Sequence, residues 1–323
     1  MPNLSHEVLN LDYEKEVNGI CEFIRQTLRS SIKRRGLVVA VSGGIDSSCS
    51  AALAVRALGK DKVFCLRLPE NDSAKTTGDR SQLLVDHLGV HYETHDIAAT
   101  LEAIGCYKRR DAAIKNIFPD YGAGWKNKIV LKGSLDGVFN HYVLVVQTPA
   151  GELLEKRLPP AEYLTIVAAT NYKQRIRKTV EYFHADRLNY AVVGTPNRLE
   201  YDQGFFVKNG DGSADIKPIA HLYKTQVYTM AKFLGLPEDI CNATPTTDTY
   251  SLSQGQDEFY FALPYQQMDI ALWAYNHHTP AAELATSLGM TTAQAELIYK
   301  DIEAKRRSTA YLHAKPFVYQ TIF

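Results

Sequence analysis

The chain contains, close to its N terminus, the stretch Leu37-Val38-Val39-Ala40-Val41-Ser42-Gly43-Gly44-Ile45-Asp46-Ser47-Ser48. Its first five residues are apolar without interruption, which is typical of a buried strand. The residues that follow repeat at helical spacing, as seen at Ala51, Ala52, Leu53, Val55 and Leu58. Residues 42–48 are therefore predicted to form the loop between a strand and a helix.

The composition of this loop favours phosphate binding. Gly43 and Gly44 have no Cβ, so backbone N–H groups are free to converge on one anion at the positive end of the following helix. No lysine follows the glycines, which excludes the common G-x-x-x-x-G-K-[ST] loop, and the carboxylate of Asp46 among phosphates indicates a magnesium ion between them. The alternative is a glycine-rich turn whose serines cap a helix. The hydroxyl donors of the loop are Ser42, Ser47 and Ser48.

Composition excludes several classes of protein. The 323 residues include 36 Lys and Arg and 36 Asp and Glu, so no net charge would hold the chain on nucleic acid or an anionic membrane. The five cysteines form no C-x-x-C pair, which argues against zinc, a redox dithiol or a disulfide framework. Residues 1–10 lack a secretory pattern and no apolar run reaches membrane-spanning length, so we expect a cytoplasmic protein.

Strand and helix patterns alternate along most of the chain. Further strands are predicted at 63–66, 90–95 and 190–194, and helices at about 12–35, 76–88, 161–183 and 224–234. This order predicts an α/β fold with a doubly wound parallel sheet, in which ligands bind at the carboxyl ends of the strands. Arg67 and Thr195 follow two such strands.

Two other regions complete a single predicted domain over residues 1–323. Residues 107–165 interrupt the alternation and are predicted to be an insertion, a β-hairpin at 128–132 and 142–147 with a third strand at 152–158. The loop at 196–223 is long, which favours a functional role. Three helical patterns follow between 266 and 307, where residues 281–302 superficially resemble a helix-turn-helix. Because the chain is neutral, we interpret that segment as plain helix packing.

Residues 42–48 resemble the S-G-G-x-D-S signature of N-type ATP pyrophosphatases, and further motifs narrow the resemblance to NAD synthetases. These motifs are Gly194-Thr195 followed by Glu200, Gly204-Phe205-Phe206-Val207-Lys208, Gly210-Asp211-Gly212, Ala214-Asp215, Lys224, Pro245-Thr246-Thr247-Asp248 and Lys305-Arg306. The resemblance covers most of residues 12–310 apart from the insertion. It implies an adenine nucleotide alpha hydrolase-like fold.

The resemblance implies a role for each matching residue. Asp46 and Glu200 are the implied magnesium ligands, since carboxylates suit this ion. Lys224 is implied to neutralise the negative charge that develops between the α- and β-phosphates. Asp211 is implied to hold ammonium and take its proton, with a plain acidic turn as the alternative. Lys305 is implied to act in catalysis by closing over the phosphates, with a frayed, exposed helix end as the alternative. Other implied contacts to ATP or the dinucleotide are Ser42, Gly43, Gly44, Ser47, Ser48, Arg67, Thr195, Thr246, Arg175 and Asp215.

The implied reaction is the amidation of deamido-NAD, with ATP and Mg²⁺ as cofactors. ATP adenylates the nicotinate carboxylate, pyrophosphate leaves, and free ammonia displaces AMP to give NAD. The resemblance also implies a homodimer with the dinucleotide at the subunit interface. Candidate interface residues are Phe259, Phe261, Trp273 and Tyr275, which alternatively close the core of one subunit.

This chain departs from the family pattern around the acceptor substrate. Pro196 and Asn197 stand where the family has Asp-His, and Thr170 and Gln174 replace a glycine and an alanine of its G-N-x-x-A-R motif. An adenylating ligase for a different carboxylate is therefore one alternative. A tRNA-modifying pyrophosphatase and a non-enzymatic DNA-binding protein are the others. Neutral charge and the missing C-x-x-C pairs argue against the tRNA enzyme. The presence of Asp46, Glu200 and Lys224 argues against the non-enzymatic protein.

Overall fold

The computed structural model describes residues 4–133, 141–245, 249–253, 255, 260–261 and 263–320. Its strands are β1 (Leu37–Ala40), β2 (Val63–Arg67), β3 (His91–Thr94), β4 (Lys126–Lys132), β5 (His141–Gln147), β6 (Leu153–Arg157) and β7 (Ala191–Val192). Its α-helices are α1 (Tyr13–Gln26), α2 (Ile45–Leu58), α3 (Lys75–Leu88), α4 (Ala98–Ala103), α5 (Cys106–Lys115), α6 (Pro160–Leu188), α7 (Arg198–Gln203), α8 (Lys224–Phe233), α9 (Glu238–Cys241), α10 (Tyr265–Asn276), α11 (Ala281–Leu288) and α12 (Thr292–His313).

Within these residues, β1 lies inside a four-stranded sheet in the order β3-β2-β1-β7. All three pairings are parallel, and Leu37 of β1 pairs with the first residue of both β2 and β7. Parallel strands end at one edge, so the loop 42–48, Arg67 and Thr195 come to the same side of the sheet. The predicted doubly wound α/β fold is confirmed.

Helices cover both faces of the sheet because successive residues of a strand point to opposite sides. Val39 of β1 belongs to a buried cluster with residues of α1, α2 and α8. Its neighbour Val38 belongs to a separate cluster with residues of α4, α5 and α6. The uninterrupted apolar run of β1 therefore reflects burial on both faces.

The insertion forms a second sheet. Strands β4, β5 and β6 pair antiparallel in that order, so the hairpin predicted at 128–132 and 142–147 carries the third strand predicted at 152–158. Ile129, Leu144 and Ile166 are buried between this sheet and α6. The insertion thus packs on a helix of the main domain.

Hydrogen bonds join the insertion to residues 249–253. The backbone N–H of Asn127 in β4 donates to Ser251 Oγ at 2.9 Å, and the N–H of Leu252 donates to the carbonyl of Asn127 at 3.1 Å. Tyr250, which precedes Ser251, is buried in the same apolar cluster as Ile129. This short segment is therefore held by the inserted sheet.

Among the described residues, four helices lie where the sequence predicted none: α4, α5, α7 and α9. Residues 106–115 form α5, which the basic composition of the stretch did not indicate. The buried side of α5 consists of Cys106, Tyr107, Ala113 and Ile114 together with the charged Arg110, so the helical period does not show in the sequence. The loop expected at 196–223 contains α7, a six-residue helix too short to give a periodic signal.

The C-terminal helices α10, α11 and α12 share one apolar cluster. Leu284 and Ile298 are buried in it, so the segment 281–302 packs as ordinary helices. Phe261 is buried in this cluster, and Trp273 and Tyr275 pack against it. These three aromatic residues therefore close the core of the chain itself, while Phe259 lies outside the described residues. Among the helices that the structure describes, none is long and apolar enough to cross a membrane.

Candidate active site

A cavity of about 820 Å³ opens at the carboxyl edge of the parallel sheet. Its walls come from the loop after β1, the segment after β2, the start of α3, the middle of α6 and the region between β7 and α8. The predicted site residues that line it are Ser42, Gly44, Asp46, Ser47, Arg67, Arg175, Thr195, Glu200, Asp211 and Lys224.

The loop after β1 presents hydroxyl and amide groups at the start of α2. Ser42 Oγ accepts from the N–H of Gly44 at 3.3 Å and lies 3.3 Å from Ser47 Oγ. Gly44 is the N-cap of α2, and it has no side chain to cover the helix terminus. The positive end of the helix dipole and these hydroxyl groups therefore suit an anion.

Two predicted loop residues support the loop without lining the cavity. Gly43 has a φ of 80°, and a Cβ at this position would lie 2.6 Å from the carbonyl oxygen of Thr77. Only glycine fits there without a shift of α3. Ser48 is fully buried and its hydroxyl donates to the carbonyl of Gly44 at 2.9 Å.

A buried ion pair lies beside this loop. Lys224, the first residue of α8, is 2 % exposed and its ammonium group donates to Oδ2 of Asp46. Burial alone would lower the pKa of Lys224, but the carboxylates of Asp46 and Glu200 outweigh this effect and raise it. Lys224 therefore carries its charge at neutral pH.

Asn197 connects the two acidic residues of the site. Its Nδ2 donates to Oδ1 of Asp46 at 3.1 Å, and its Oδ1 accepts from the backbone N–H of Glu200 at 3.2 Å. Both carboxylates lie at the carboxyl edge of the sheet, as the sequence predicted. No cluster of three or more metal-binding side chains occurs among the described residues. The pair still fits Mg²⁺, which usually takes one or two carboxylates and completes its shell with phosphates and water.

Asp269 fixes the start of α8 from a position that the sequence did not indicate. Its Oδ1 accepts from the backbone N–H of Lys224 at 3.2 Å, and its Oδ2 accepts from the N–H and the hydroxyl of Thr225, each at 2.7 Å. Burial raises the pKa of Asp269 to about 7. The two partners are 45 residues apart, so no local pattern relates them.

We expect Asp269→Asn to destabilise the protein by about 1–3 kcal/mol, because its NH₂ group must face a buried N–H donor of Lys224 or Thr225. Urea unfolding followed by circular dichroism measures the change in the free energy of unfolding. Asp61→Asn is the matched control, since Asp61 is exposed. Equal unfolding midpoints for the two variants would contradict the assigned role.

Arg67 reaches the cavity from the end of β2. Its guanidinium donates to Ser81 Oγ and to the carbonyl of Gly78, each at 3.0 Å. These bonds hold the planar group against α3. Thr195 is half-buried at the end of β7 on the same edge.

Two residues of the predicted acceptor site also line the cavity. Arg175 is exposed there and donates to the carbonyl of Lys208 at 3.3 Å. Asp211 accepts from the N–H of Val207 at 2.7 Å, and burial raises its pKa.

Two other predicted residues, Asp215 and Lys305, do not line the cavity among the described residues, and a third lies outside them. Asp215 accepts from the N–H of Val192 at 2.7 Å. Lys305 donates to Asp301 at 2.5 Å and to the carbonyl of Tyr260 at 2.6 Å, and burial lowers its pKa. Thr246 lies outside the described residues.

Comparison with known proteins identifies the family of the chain. The family model described as NAD synthase matches residues 16–117 and 145–310, which include all the residues of the cavity named above. The chain belongs to the NAD synthase family. Residues 118–144, left unmatched by the model, lie within the insertion predicted at 107–165.

A relative of this chain matches it over nearly the whole length of both chains. The NH(3)-dependent NAD(+) synthetase of Rhizobium meliloti is 54 % identical over 98 % of this chain and 95 % of its own. Two solved structures share the fold at lower identity. The NMN synthetase of Francisella tularensis has a TM-score of 0.65 and 20 % identity, covering 96 % of this chain and 99 % of its own. The NH3-dependent NAD synthetase of Campylobacter jejuni, in complex with the nitrate ion, has a TM-score of 0.63 and 22 % identity, covering 96 % and 100 %.

A buried charged network that the sequence did not single out lies next to the cavity, and its members Glu70 and Thr249 line the cavity wall. Lys173 of α6 is fully buried and donates to Glu70 at 3.0 Å, to Asp72 at 2.6 Å and to the carbonyl of Thr249 at 2.8 Å. Its ammonium thus joins α6 to the segment after β2 and to residues 249–253. Lysine on a helix normally indicates a solvated face, so the sequence gave no signal for this network.

A second buried pair lies further along α6. Lys178 donates to Glu181 at 2.7 Å, and both residues line the cavity. Their i,i+3 spacing is the only sequence signal, and it is also typical of an exposed helical pair. Burial, which the sequence does not reveal, is what distinguishes them.

Proposed function

We propose that this chain catalyses the ATP-dependent amidation of deamido-NAD by ammonia, forming NAD, AMP and pyrophosphate through an acyl-adenylate. The observation that carries the proposal is the buried Lys224–Asp46 pair beside the loop 42–48, inside the cavity of an NAD synthase family member. The 54 % identity to an NH(3)-dependent NAD(+) synthetase over nearly the full length supports the same substrates.

The adenylating half of the reaction uses the carboxyl edge of the sheet. The N terminus of α2 and the hydroxyls of Ser42 and Ser47 bind the β- and γ-phosphates, which leave as pyrophosphate. Lys224, held as a cation, stabilises the charge that develops between the α- and β-phosphates. Asp46 and Glu200 would hold Mg²⁺, which supplies further neutralisation of phosphate charge.

The amidating half uses Asp211 and Arg175, which also line the cavity. Burial raises the pKa of Asp211 towards the operating pH, which makes its carboxylate a better acceptor for a proton from ammonium. Arg175 contacts the phosphates of the dinucleotide. From the family resemblance, we assign Arg67 and Thr195 to the binding of ATP. On the same basis, we assign Thr246, Lys305 and Asp215 to the phosphates and to the nicotinate end of the dinucleotide.

Activation by ATP is needed because a carboxylate repels nucleophiles and offers only an oxide as its leaving group. An acyl-adenylate removes the negative charge and supplies AMP as the leaving group. A ligase for a different carboxylate would use the same adenylating half. The relatives matched over nearly the full length disfavour that alternative, and the likeness to an NMN synthetase shows only the fold.

One assay tests the proposal. The purified chain is supplied with ATP, Mg²⁺ and ammonium, and either deamido-NAD or nicotinate mononucleotide serves as the acceptor. We expect NAD, AMP and pyrophosphate in equal amounts with deamido-NAD, and a much slower reaction with the mononucleotide. Pyrophosphate release without NAD would overturn the proposed acceptor.

We also propose a homodimer with the dinucleotide at the subunit interface, working in the cytoplasm. Phe261, Trp273 and Tyr275 pack within the chain's own core, so the support comes from the family resemblance. Exposed apolar side chains that are available for an interface include Leu164 (65 % exposed) and Phe183 (62 %) on α6.

Sedimentation velocity at micromolar concentration is expected to give a species of twice the 36.2 kDa subunit mass. Apolar surface of this kind is stabilised by a partner subunit. The same run with deamido-NAD and ATP tests whether ligands strengthen the association. A monomer under both conditions would refute the proposed dimer.

A further inference from the structure

Asn197 lies next to the cavity and makes three hydrogen bonds to two residues that line it, Asp46 and Glu200. It is fully buried, and its Nδ2 donates to Asp46 Oδ1 while its Oδ1 accepts from the N–H of Glu200. Its own backbone N–H donates to Oε2 of Glu200 at 3.2 Å, which completes a capping box at the start of α7. One residue thus contacts both carboxylates of the site.

Capping of α7 accounts for the contact of Asn197 Oδ1 but not for that of its Nδ2. An N-cap needs one acceptor oxygen, and serine, threonine or aspartate supplies it as well as asparagine. Asp46 requires a donor instead, and the amide is the side chain that offers an acceptor at one end and a neutral donor at the other. The two neighbours also fix the orientation of the amide, since its NH₂ must face the carboxylate and its oxygen must face the N–H.

The contacts leave Asp46 little freedom. Its Oδ1 accepts from Asn197 and its Oδ2 accepts from Lys224, so the plane of the carboxylate is fixed from both sides. Glu200 is fixed through the first turn of α7 and through its own Oε2. The relative position of the two carboxylates therefore depends on one amide.

We propose that Asn197 is a positioning residue that holds Asp46 and Glu200 together as a divalent cation site for the nucleotide. The inference rests on the proposed function for the identity of the two ligands. Asn197 does not bind the ion, and it acts through the residues that do. Residues of this kind commonly change metal affinity 10–100-fold when they are replaced.

Asn197→Ser tests the proposal because it keeps the cap acceptor of α7 and shortens the side chain so that it no longer reaches Asp46. The probe is Mn²⁺ with α,β-methylene-ATP, and free Mn²⁺ is measured by electron paramagnetic resonance. We expect the apparent Kd for Mn²⁺ to rise at least about tenfold. We also expect a higher Mg²⁺ concentration for half-maximal pyrophosphate release, with a smaller change in kcat at saturating Mg²⁺.

Thr291→Ala is the matched control, since Thr291 forms the equivalent capping box at the start of α12 without contact to either carboxylate. It is expected to lower the melting temperature and to leave Mn²⁺ affinity unchanged. Equal Mn²⁺ affinity, within twofold, for Asn197→Ser and the parent chain would overturn the proposal, as would a parent chain that binds no Mn²⁺ with the analogue.

The measurement separates this inference from the proposed function. Weaker Mn²⁺ binding in Asn197→Ser supports the positioning role even if the parent chain makes no NAD from deamido-NAD. Conversely, a fully active parent chain with an unaffected Asn197→Ser variant refutes the positioning role alone.

Discussion

Asp46→Asn is expected to slow pyrophosphate release at least about 100-fold, because loss of one charge-stabilising group commonly costs about 2.7–4 kcal/mol in the transition state. The substitution keeps the shape of the side chain and removes its charge. Its NH₂ group must also face a donor, either the ammonium of Lys224 or the amide of Asn197. The geometry that serves the cation site is then lost together with the charge.

Glu200→Gln is expected to have a similar effect for the same reason. Pyrophosphate is measured by a coupled phosphate assay over a range of Mg²⁺ concentrations, and circular dichroism verifies that each variant is folded. Asp61→Asn controls for the loss of a carboxylate, because Asp61 is exposed just before β2, at the opposite edge of the sheet from the cavity. Turnover close to that of the parent chain at saturating Mg²⁺ would refute the assignment of either residue.

Replacement of ammonium by glutamine is expected to stop NAD formation by the purified chain. Glutamine hydrolysis requires a thiolate or similar nucleophile activated by a base. All the free cysteines are buried, and burial raises the pKa of every thiol, to about 11 for Cys106 and about 12 for Cys65. The same direction holds for Cys21, Cys49 and Cys241. A buried neutral thiol is a poor nucleophile.

The glutamine experiment requires that contaminating ammonia is removed enzymatically before the reaction starts. Addition of ammonium to the same mixture should then restore synthesis, which shows that the enzyme was active throughout. Cys106→Ser and Cys241→Ser are expected to behave as the parent chain with ammonium. Sustained synthesis from glutamine by the isolated chain would show that a nucleophile has been overlooked.

The parts of the fold that the sequence predicted well depend on neighbours in the chain. The loop 42–48 could be placed because an apolar run precedes it and a helical pattern follows it, and parallel strands bring their carboxyl ends together. Arg67 and Thr195 reach the cavity by the same rule. Ser48 and Gly43 show its limit, since their support of the loop depends on contacts with Gly44 and α3 that spacing does not specify.

The parts that could not be predicted depend on contacts between distant residues. Lys173 meets Asp72 across 101 residues, and Asp269 meets Lys224 across 45. A lysine or aspartate on a helix usually indicates a solvated face, and only burial reverses that interpretation. Phe261 shows the opposite case: it lies just before α10 and is buried in the core of its own chain, and an aromatic residue packs in such a core as well as it would against a partner.

The bonds between β4 and residues 249–253 give the inserted sheet a part in shaping the cavity. Tyr250 and Thr249 line the cavity, yet Tyr250 packs on the insertion and Ser251 is bonded to Asn127, 124 residues earlier in the chain. Thr249 is held from the other side by Lys173. Removal of the insertion would therefore release one wall of the cavity, and a change in β4 would act on the shape of the cavity from outside the residues that the family model matches.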